Sequence, residues 1–364
     1  MNLDHHCKVT VIFPLFQAEL AVKNLLSSVF EQKNPDYNEP SQWLSVLFID
    51  NASTDQTISV LEKELKNRGN PSWIKVIVNE KNLGLSKSLN RAFRAVSTPY
   101  ALTCHADCLF DDSLYIATML QQMENHPKVG AITGMPTVSQ SSEIPKAEKI
   151  NFVTNLMDIF SEEDSDFSPT GFAEGRCDLF RMEAIKKAGF YDETLKFAGE
   201  DQILASKLRE NGYQILKANH LKYRLSLSAQ QDSLLKLSRH QQMFGRAHPF
   251  ILFKHKGTSS GITETEVAGK NRQMRALLRL HQLFFGGLIL ISPLLFFISA
   301  KFTFSLLIFI LLSKTFFFHT RIKALKLDFK EVVLLFSLQP FFDLRYTLGV
   351  FQGFFLLATD KTID

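Results

Sequence analysis

The sequence is poor in cysteine, tryptophan and net charge. It has four cysteines and two tryptophans in 364 residues, and its formal net charge is +4. Four irregularly spaced cysteines do not form the disulfide framework of a small secreted domain. So small a net charge does not indicate a polyanionic partner, and many of the 33 phenylalanines stand in an apolar C-terminal region. We therefore expect no nucleic-acid partner.

The N-terminus lacks the features of a secretory signal peptide. Its first residues, MNLDHHCKVTVIF, do not place a basic segment before a long apolar stretch. We therefore expect the polar part of the chain to face the cytoplasm, where thiols stay reduced.

Long apolar runs are confined to the C-terminal part of the chain. Residues 282–300 contain no charged side chain, and residues 302–318 contain only Lys314. Basic residues flank this block on both sides, which is typical of the cytoplasmic ends of membrane segments. The pattern predicts a hairpin of two short spans in the inner or plasma membrane, with membrane lipids as partners. A third run, 332–357, is compatible with a kinked span or with two interfacial helices.

The first 110 residues alternate between apolar strands and amphipathic helices. The strands are predicted at residues 9–13, 44–49, 74–78 and 100–103, with helices between them. This alternation predicts an α/β fold with a mostly parallel sheet that is flanked by helices. Residues 138–168 are polar and irregular and predict a loop region. A further helix is predicted to begin at Glu200 and Asp201.

Polar residues stand where the predicted strands end. Asp50 follows the second strand, and His105 and Asp107 follow the fourth. Ligands of open α/β sheets bind at the carboxyl ends of the strands. However, Asp is also a common turn residue, and acidic residues are favoured in the first turn of a helix. A turn role for Asp50 and a capping role for Glu200 and Asp201 therefore remain open.

Five segments of the chain resemble family-2 glycosyltransferases of the GT-A fold. They are VTVIFPLFQAE, FIDNASTDQT, NEKNLGLSKSLNRAF, LTCHADCLF and GFYDETLKFAGEDQILASKLRENGY. The segment RHQQMFGRAH, followed by the apolar region, looks like membrane-attached bacterial members that build exopolysaccharides or related glycans. The resemblance implies a GT-A nucleotide-sugar-binding domain over residues 1–250. A basic linker over residues 251–281 and membrane-associated helices over residues 282–364 would follow.

The resemblance also implies residues that bind the donor. Pro14 and Phe16 would line the nucleobase pocket, and Asp50 would accept a hydrogen bond from the base. The turn and helix start from Gly84 to Asn90 would lie near the nucleotide. The partners implied are a nucleotide-sugar donor and a glycan or lipid-linked acceptor.

The metal and catalytic residues follow from the same resemblance. The family's Asp-x-Asp metal motif corresponds to His105-Ala106-Asp107, so Asp107 and His105 would hold Mn²⁺ or Mg²⁺. His105 replaces the first aspartate and could instead contact a phosphate or the ribose. Asp201 matches the catalytic base, and Glu200 stands beside it.

The chemistry explains why these residue types are needed. A divalent cation neutralises the diphosphate leaving group. A base removes the proton from the acceptor hydroxyl as the hydroxyl attacks the anomeric carbon. A single displacement of this kind inverts the configuration at that carbon, so one base on the acceptor side is sufficient.

Arg246 lies in a region that relatives place near the acceptor and the pyrophosphate, which makes it a donor-binding candidate. The Gln-x-x-Arg-Trp motif of processive synthases is absent, which favours transfer of a single sugar. The alternative for this region is an amphipathic interfacial helix whose basic residues meet lipid headgroups.

Three alternatives to this function remain. The acceptor could be a polyprenyl phosphate, or the domain could be an inactive scaffold in a glycan-assembly complex. Cys104 and Cys108 could be read as part of a zinc site. In an extended strand, however, these residues would lie about 13 Å apart, and no second Cys/His pair stands at a recognised spacing.

Overall fold

The computed structural model describes residues 7–137, 146–155, 165–171, 173, 175–194, 199–225, 233–254 and 270–359. The chain forms two compact units. The first comprises Met1–Thr137 and Phe160–Ala229, and the second comprises Val138–Ile159 and Gln230–Asp364. The predicted domain boundary at residue 250 therefore differs from the observed division. The reason is that the helix before this residue packs within the second unit.

The first half of the sheet in the first unit is parallel. Its strands are β1 (Val9–Leu15), β2 (Leu44–Asp50), β3 (Ile74–Val78) and β4 (Tyr100–Cys104), in the order β3-β2-β1-β4. The connecting helices are α1 (Val22–Phe30), α2 (Thr57–Asn67) and α3 (Leu85–Ala95). These elements confirm the predicted alternation. The strand β1 was predicted to end before Pro14, but it continues through this residue. Its pairing with β4 ends earlier, at the pair Ile12 and Thr103, and proline has no N–H to donate to a neighbouring strand.

The second half makes the sheet mixed, where a mostly parallel sheet was predicted. It contains β5 (Cys108–Phe110), β6 (Val129–Thr137), β7 (Phe167–Pro169), β8 (Cys177–Arg181) and β9 (Gln214–Leu225). The strand β8 lies between β4 and β6 and is antiparallel to both. The helices of this half are α4 (Tyr115–Asn125), α6 (Met182–Ala188) and α7 (Glu200–Glu210).

Both faces of the sheet are covered by hydrophobic cores. Val11 and Phe13 of β1 belong to one buried cluster, and Ile12 between them belongs to the other. Successive strand residues point to opposite faces, so β1 contributes to both cores. This burial explains why the strand reads as a continuous apolar run.

The second unit is helical. Its helices are α5 (Lys146–Thr154), α8 (Leu234–Pro249), α9 (Lys270–Ser313), α10 (Thr315–Ala324) and α11 (Phe329–Ala358). The helix α5 and the first two residues of β7 lie within residues 138–168, where a loop region was predicted. The remainder of that segment lies mostly outside the described residues. The predicted linker 251–281 already contains the first turns of α9, and the third apolar run forms the single helix α11.

The helix α9 folds back on itself. Its backbone is non-helical at Ser299, where φ is −160° and ψ is 105°. Phe285 and Leu288 pack with Ile310, and a ring nitrogen of His281 lies 2.8 Å from the hydroxyl of Ser313. These contacts show the folded-back geometry of a hairpin, and its crossing of a membrane stays a prediction. Within the described residues, Ala276–Ser313 is the one stretch long and apolar enough to cross a membrane.

Candidate active site

The carboxyl ends of β1, β2 and β4 carry three of the predicted site residues. Phe16 follows β1, Asp50 ends β2, and His105 follows β4. The strand β1 lies between the other two, with Leu15 opposite Asp50. The three residues therefore stand at one edge of the sheet. Phe16 is 40% exposed and Asp50 is 1% exposed.

Both carboxylate oxygens of Asp50 are held by Ser53. The backbone N–H of Ser53 donates to one oxygen at 2.9 Å, and its hydroxyl donates to the other at 2.6 Å. The alternative that Asp50 organises a turn is thus realised, and its contact with a base stays a prediction. Pro14 is half-buried in β1, opposite Ile49.

Asn51 organises the turn that begins α3. Its side-chain oxygen accepts hydrogen bonds from the N–H of Leu83 at 2.8 Å and the hydroxyl of Ser88 at 2.9 Å. Its amide nitrogen donates to Asn82 at 2.8 Å. Gly84 adopts a φ of +80° at this turn, a conformation that favours glycine. The sequence pattern did not single out Asn51, although its place directly after Asp50 was a signal.

Asn90 is buried and links α3 to the segment before α7. Its amide nitrogen donates to the carbonyl of Tyr191 and to the carboxylate of Glu193, each at 3.0 Å. Its side-chain oxygen accepts from the N–H of Tyr191 at 3.0 Å. Both ends of the amide therefore position residues 191–193, and a contact with the donor stays a prediction.

His105 and Asp107 lie in a tight turn between β4 and β5. The N–H of Cys108 donates to the carbonyl of His105 at 3.0 Å. Burial lowers the pKa of the His105 imidazole, the charge of Arg176 lowers it further, and the Asp107 carboxylate opposes the shift. The Nε2 atom of His105 is buried and has no hydrogen-bond partner among the residues that the structure describes. An uncharged imidazole with a vacant nitrogen is a suitable metal ligand.

The two side chains fit a hard divalent cation only in part. Carboxylate oxygen and imidazole nitrogen suit Mn²⁺. Within the described parts of the chain, no group of three or more His, Cys, Asp or Glu residues has the geometry of a metal site. A cation held by Asp107 and His105 would therefore need further ligands, which the diphosphate of a donor can provide.

The turn also brings Cys104 close to Cys108, contrary to the distance expected for an extended strand. The thiol of Cys104 lies 3.5 Å from the carbonyl of Cys108 and 3.5 Å from the sulfur of Cys177. All three cysteines are free and buried. Burial raises the pKa of the Cys108 thiol to about 12 and raises the pKa of the Cys177 thiol well above its usual range, so these two thiols stay uncharged.

Glu200 and Asp201 form the first turn of α7, after Gly199 with a φ of +85°. Asp201 lines a small internal space together with Asp178 and Tyr191. Burial, followed by the nearby Asp201 carboxylate, raises the pKa of Glu200 to about 8. Glu200 therefore keeps its proton near neutral pH. The N–H of Gln202 donates to Asp201 at 2.8 Å within this first turn, whereas the N-cap position is held by Gly199.

Residues 175–178 connect the two parts of the site. The backbone N–H of His105 donates to the carbonyl of Arg176 at 3.0 Å. The N–H of Gly175 donates to the carboxylate of Asp178 at 2.6 Å, and a Cβ on Gly175 would lie 3.5 Å from the Cβ of Asp201. Asp178 is fully buried on β8. The sequence pattern did not identify it, because its place in the sheet depends on pairing with distant strands.

Arg246 belongs to the second unit. It lies on α8, and its Nη2 atom donates to the side-chain oxygen of Gln352 at 3.3 Å. Its predicted contact with the donor stays a prediction.

The chain matches a known family and several curated proteins. The family described as Glycosyl transferase family 2 matches residues 10–189. The poly-beta-1,6-N-acetyl-D-glucosamine synthase of Staphylococcus epidermidis is 24% identical over 208 residues, which are 57% of this chain and 47% of that protein. The protein of the same name from Staphylococcus aureus strain COL is 25% identical over 217 residues, 59% and 49% of the two chains. The chain thus spans about half the length of these relatives.

Two solved structures share the fold. The mannosyltransferase PcManGT from Pyrobaculum calidifontis, in complex with GDP-Man and Mn²⁺, has a TM-score of 0.56 and 14% identity, covering 96% of this chain and 88% of that chain. GalNAc-T7 with UDP, GalNAc and Mn²⁺ has a TM-score of 0.50 and 12% identity, covering 75% and 54%. Residues 10–189 therefore form a domain of glycosyltransferase family 2, and the first unit has the GT-A fold.

Proposed function

We propose that the protein transfers a sugar, with inversion, from a nucleoside-diphosphate donor to a hydroxyl of a lipid-linked or nascent glycan. One observation carries the proposal. The carbonyl of Arg176 accepts a hydrogen bond from the backbone N–H of His105, and Gly175 beside it lies close to Asp201, within one compact unit. This arrangement supports a donor site and a base in the same unit. The names of the curated relatives support a glycan product.

The donor would lie at the carboxyl ends of β1, β2 and β4. The half-exposed ring of Phe16 offers a surface for the nucleobase, and Asp50, at the end of the neighbouring strand, would accept a hydrogen bond from the base. The start of α3, ordered by Asn51 and Gly84, directs the positive end of a helix dipole toward this edge, where phosphate groups are favoured.

Asp107 and His105 would hold Mn²⁺ or Mg²⁺ at the end of β4. When bound, the cation supplies the positive charge that stabilises the departing diphosphate. The two solved neighbours that contain Mn²⁺ support this cofactor.

Asp201 acts as the general base. Glu200 keeps its proton near neutral pH because its pKa is about 8. Glu200 is then a poor proton acceptor, and Asp201 beside it takes the proton of the acceptor hydroxyl. The C–O bond to the incoming oxygen forms as the bond to the diphosphate breaks, so the sugar inverts.

We also propose that the second unit holds the enzyme at the inner or plasma membrane, with the catalytic unit on the cytoplasmic side. Large apolar side chains of α9 are exposed, among them Phe297 at 90% and Ile298 at 83%. Exposed apolar surface of this extent marks a contact with lipid or protein. Lys323, Lys326 and Lys330 follow at the end of α10 and the start of α11, where they would meet anionic headgroups.

A binding screen followed by a transfer assay tests this function. The detergent-purified chain is heated with UDP-, GDP- and dTDP-sugars, with and without Mn²⁺. We expect one donor to raise the melting temperature, because a ligand that binds only the folded state stabilises it by mass action. That donor should then label a membrane glycan with inverted configuration. Absence of both stabilisation and transfer for every donor would contradict the proposal.

A further inference from the structure

The two residues proposed to contact the nucleobase are held by different segments of the chain. Phe16 stands in the β1–α1 loop, residues 16–21, and Asp50 ends β2 directly before the β2–α2 turn, residues 51–56. Leu15 and Asp50 are paired in the sheet, which sets where the two segments begin. The place of the Phe16 ring relative to the Asp50 carboxylate therefore depends on the contacts between the loop and the turn.

The backbone of the β1–α1 loop is bound to side chains that follow β2. Three consecutive backbone N–H groups, those of residues 17–19, donate hydrogen bonds to side-chain oxygens of the other segment. In chain order the acceptors are Ser53 at 2.9 Å, Thr57 at 2.8 Å and Asp55 at 3.2 Å. The chain itself thus holds the loop against the turn.

The side chain of Gln17 returns these hydrogen bonds. Its Oε1 atom accepts from the backbone N–H of Thr54 at 3.0 Å and from that of Asp55 at 3.1 Å. Its Nε2 atom donates to the hydroxyl of Thr54 at 3.0 Å. With its own backbone N–H included, Gln17 makes four hydrogen bonds to the turn. No other side chain of the loop could replace this set, because only an amide of this length both accepts and donates here.

Two residues of these segments have a left-handed backbone although neither is glycine. The φ of Gln17 is +52° and the φ of Ala52 is +60°. Such a conformation is uncommon for residues that carry a Cβ and persists only where the surroundings impose it. Gln17 directly follows Phe16, and Ala52 stands two residues after Asp50. The hydrogen bonds of Gln17 therefore stabilise a strained backbone beside both proposed base contacts.

Ser53 joins this network to Asp50. Its hydroxyl accepts from the backbone N–H of Gln17 at 2.9 Å and donates to the carboxylate of Asp50 at 2.6 Å. One hydroxyl group thus lies between the loop that carries Phe16 and the carboxylate proposed to bind the base. Movement of the loop would change the orientation of the carboxylate through this group.

We propose that Gln17 and Ser53 are positioning residues that preorganise the nucleobase site. They fix the loop of Phe16 relative to Asp50 and do not contact the base themselves. A site whose walls are already ordered binds more tightly, because less conformational entropy is lost when the donor enters. The diphosphate would lie beyond this network, so its binding should not depend on it. The inference rests on the donor site of the proposed function.

Calorimetric titration of the full chain in detergent tests these roles. The ligands are UDP, GDP, dTDP and inorganic pyrophosphate, each with Mg²⁺. The ratio of the affinity for the tightest nucleotide to the affinity for pyrophosphate measures what the nucleoside adds. We expect Gln17→Ala to lower this ratio about tenfold or more while pyrophosphate binds as before. Ser53→Ala should act in the same direction, and Ser53→Thr, which keeps the hydroxyl, should restore most of the ratio.

Gln42→Ala is the matched control. The Oε1 atom of Gln42 also accepts from two backbone N–H groups, those of Asn38 at 2.9 Å and Glu39 at 3.1 Å. Gln42 precedes β2 and so lies at the opposite end of that strand from Asp50. We expect the ratio to be unchanged in this variant, because the loss of an equivalent set of hydrogen bonds there does not reach the base.

Gln17→Gly separates the hydrogen bonds from the backbone conformation. Glycine adopts a positive φ without strain but has no amide side chain. We expect this variant to lose nucleotide affinity as Gln17→Ala does, and native affinity in it would overturn the role of the side chain. An equal loss of nucleotide and pyrophosphate affinity in Gln17→Ala would also overturn the inference, because a general disturbance of the unit would then explain it.

Melting curves accompany each variant. If Gln17→Ala does not fold, the comparison of Ser53→Ala with Ser53→Thr decides, and equal ratios in these two variants would contradict the inference. The failure of the proposed function has a different signature. A native chain that binds pyrophosphate and none of the three nucleotides would contradict the donor site itself, whereas native ratios in all variants would contradict only the positioning roles.

Discussion

The ammonium group of Lys314 lies 2.8 Å from the carboxylate of Asp343, and both side chains are fully buried. Lys314 also donates to Gln339 at 3.2 Å, and Gln339 donates to Thr154 of α5 at 3.1 Å. One buried cation thus joins the end of the α9 hairpin, α11 and α5. Such a pair is costly to break from one side, because the remaining charge keeps its desolvation penalty.

Removal of the carboxylate alone should therefore destabilise the protein more than removal of the pair. We expect Asp343→Leu to lower the free energy of unfolding by about 3–5 kcal/mol. The double variant Lys314→Met/Asp343→Leu should lose clearly less. Chemical unfolding in detergent measures both. If the double variant is as unstable as the single one, the loss of unfolding free energy comes from losing the ion pair itself. It would then not come from the Lys314 charge that remains buried without a partner.

Asp201→Asn separates catalysis from helix capping. Asparagine caps a helix about as well as aspartate but accepts a proton far less readily. We expect fold and donor binding to survive and turnover at saturating donor to fall by roughly 100-fold or more. Near-normal turnover in a well-folded variant would leave Asp201 with a capping role only. A turnover only modestly reduced would favour a phosphate acceptor, which needs little deprotonation.

The pKa of Glu200 predicts a pH dependence of stability. The pKa is about 8 in the folded chain and near 4.5 in the unfolded chain. Below pH 4.5 both states bind the proton, so the stabilisation of the folded state that follows from the raised pKa of Glu200 is fully present. As pH rises toward 8, the unfolded state releases the proton first, so the folded state loses stability. The melting temperature of Glu200→Gln relative to the native chain should therefore rise from about pH 5 to pH 8 and then level off. A difference that stays flat across this range would refute the raised pKa.

Substitutions at the β4 turn test the metal assignment. Asp107→Ala should remove the Mn²⁺-dependent part of donor binding and lower turnover by about 100-fold or more, because the charge on the leaving group is then uncompensated. His105→Asp should retain or gain activity with Mn²⁺, since carboxylate is the harder ligand. Donor affinity is measured with Mn²⁺ and with a chelator. Undiminished transfer by Asp107→Ala would remove this residue from the metal site.

The glycine contact between α8 and α11 offers a prediction with an internal control. Gly349→Ala should lower the free energy of unfolding by about 1–3 kcal/mol, because the new methyl group meets the backbone of Gln242. A methyl group on Gly287 would meet no atom of the described residues within 4 Å. Gly287→Ala should therefore be neutral or stabilising by up to about 1 kcal/mol. Equal effects of the two substitutions in chemical unfolding would contradict the close packing.

Local patterning was sufficient for the strands β1 to β4 and the helices α1 to α3. Apolar runs of strand length and apolar residues at helical spacing report burial directly, and burial decides these elements. The predicted strand ends also gave the places of Phe16, Asp50 and Asp107, because the carboxyl ends of parallel strands meet at one edge of the sheet. The apolar hairpin was also predictable, because no soluble core of this size could cover so many apolar side chains.

Only the tertiary structure decided which distant segments lie next to the strand ends that carry the site. Insertion of β8 between β4 and β6 makes the sheet mixed and brings residues 175–178 to the His105 turn, with Gly175 close to Asp201. Likewise, α5 joins the second unit through Lys149 and Glu331, which are 182 residues apart. Such pairings depend on which distant surfaces fit together and satisfy each other's charges. Periodicity along the chain reports which side of an element is buried, and it contains no information about the element that covers it.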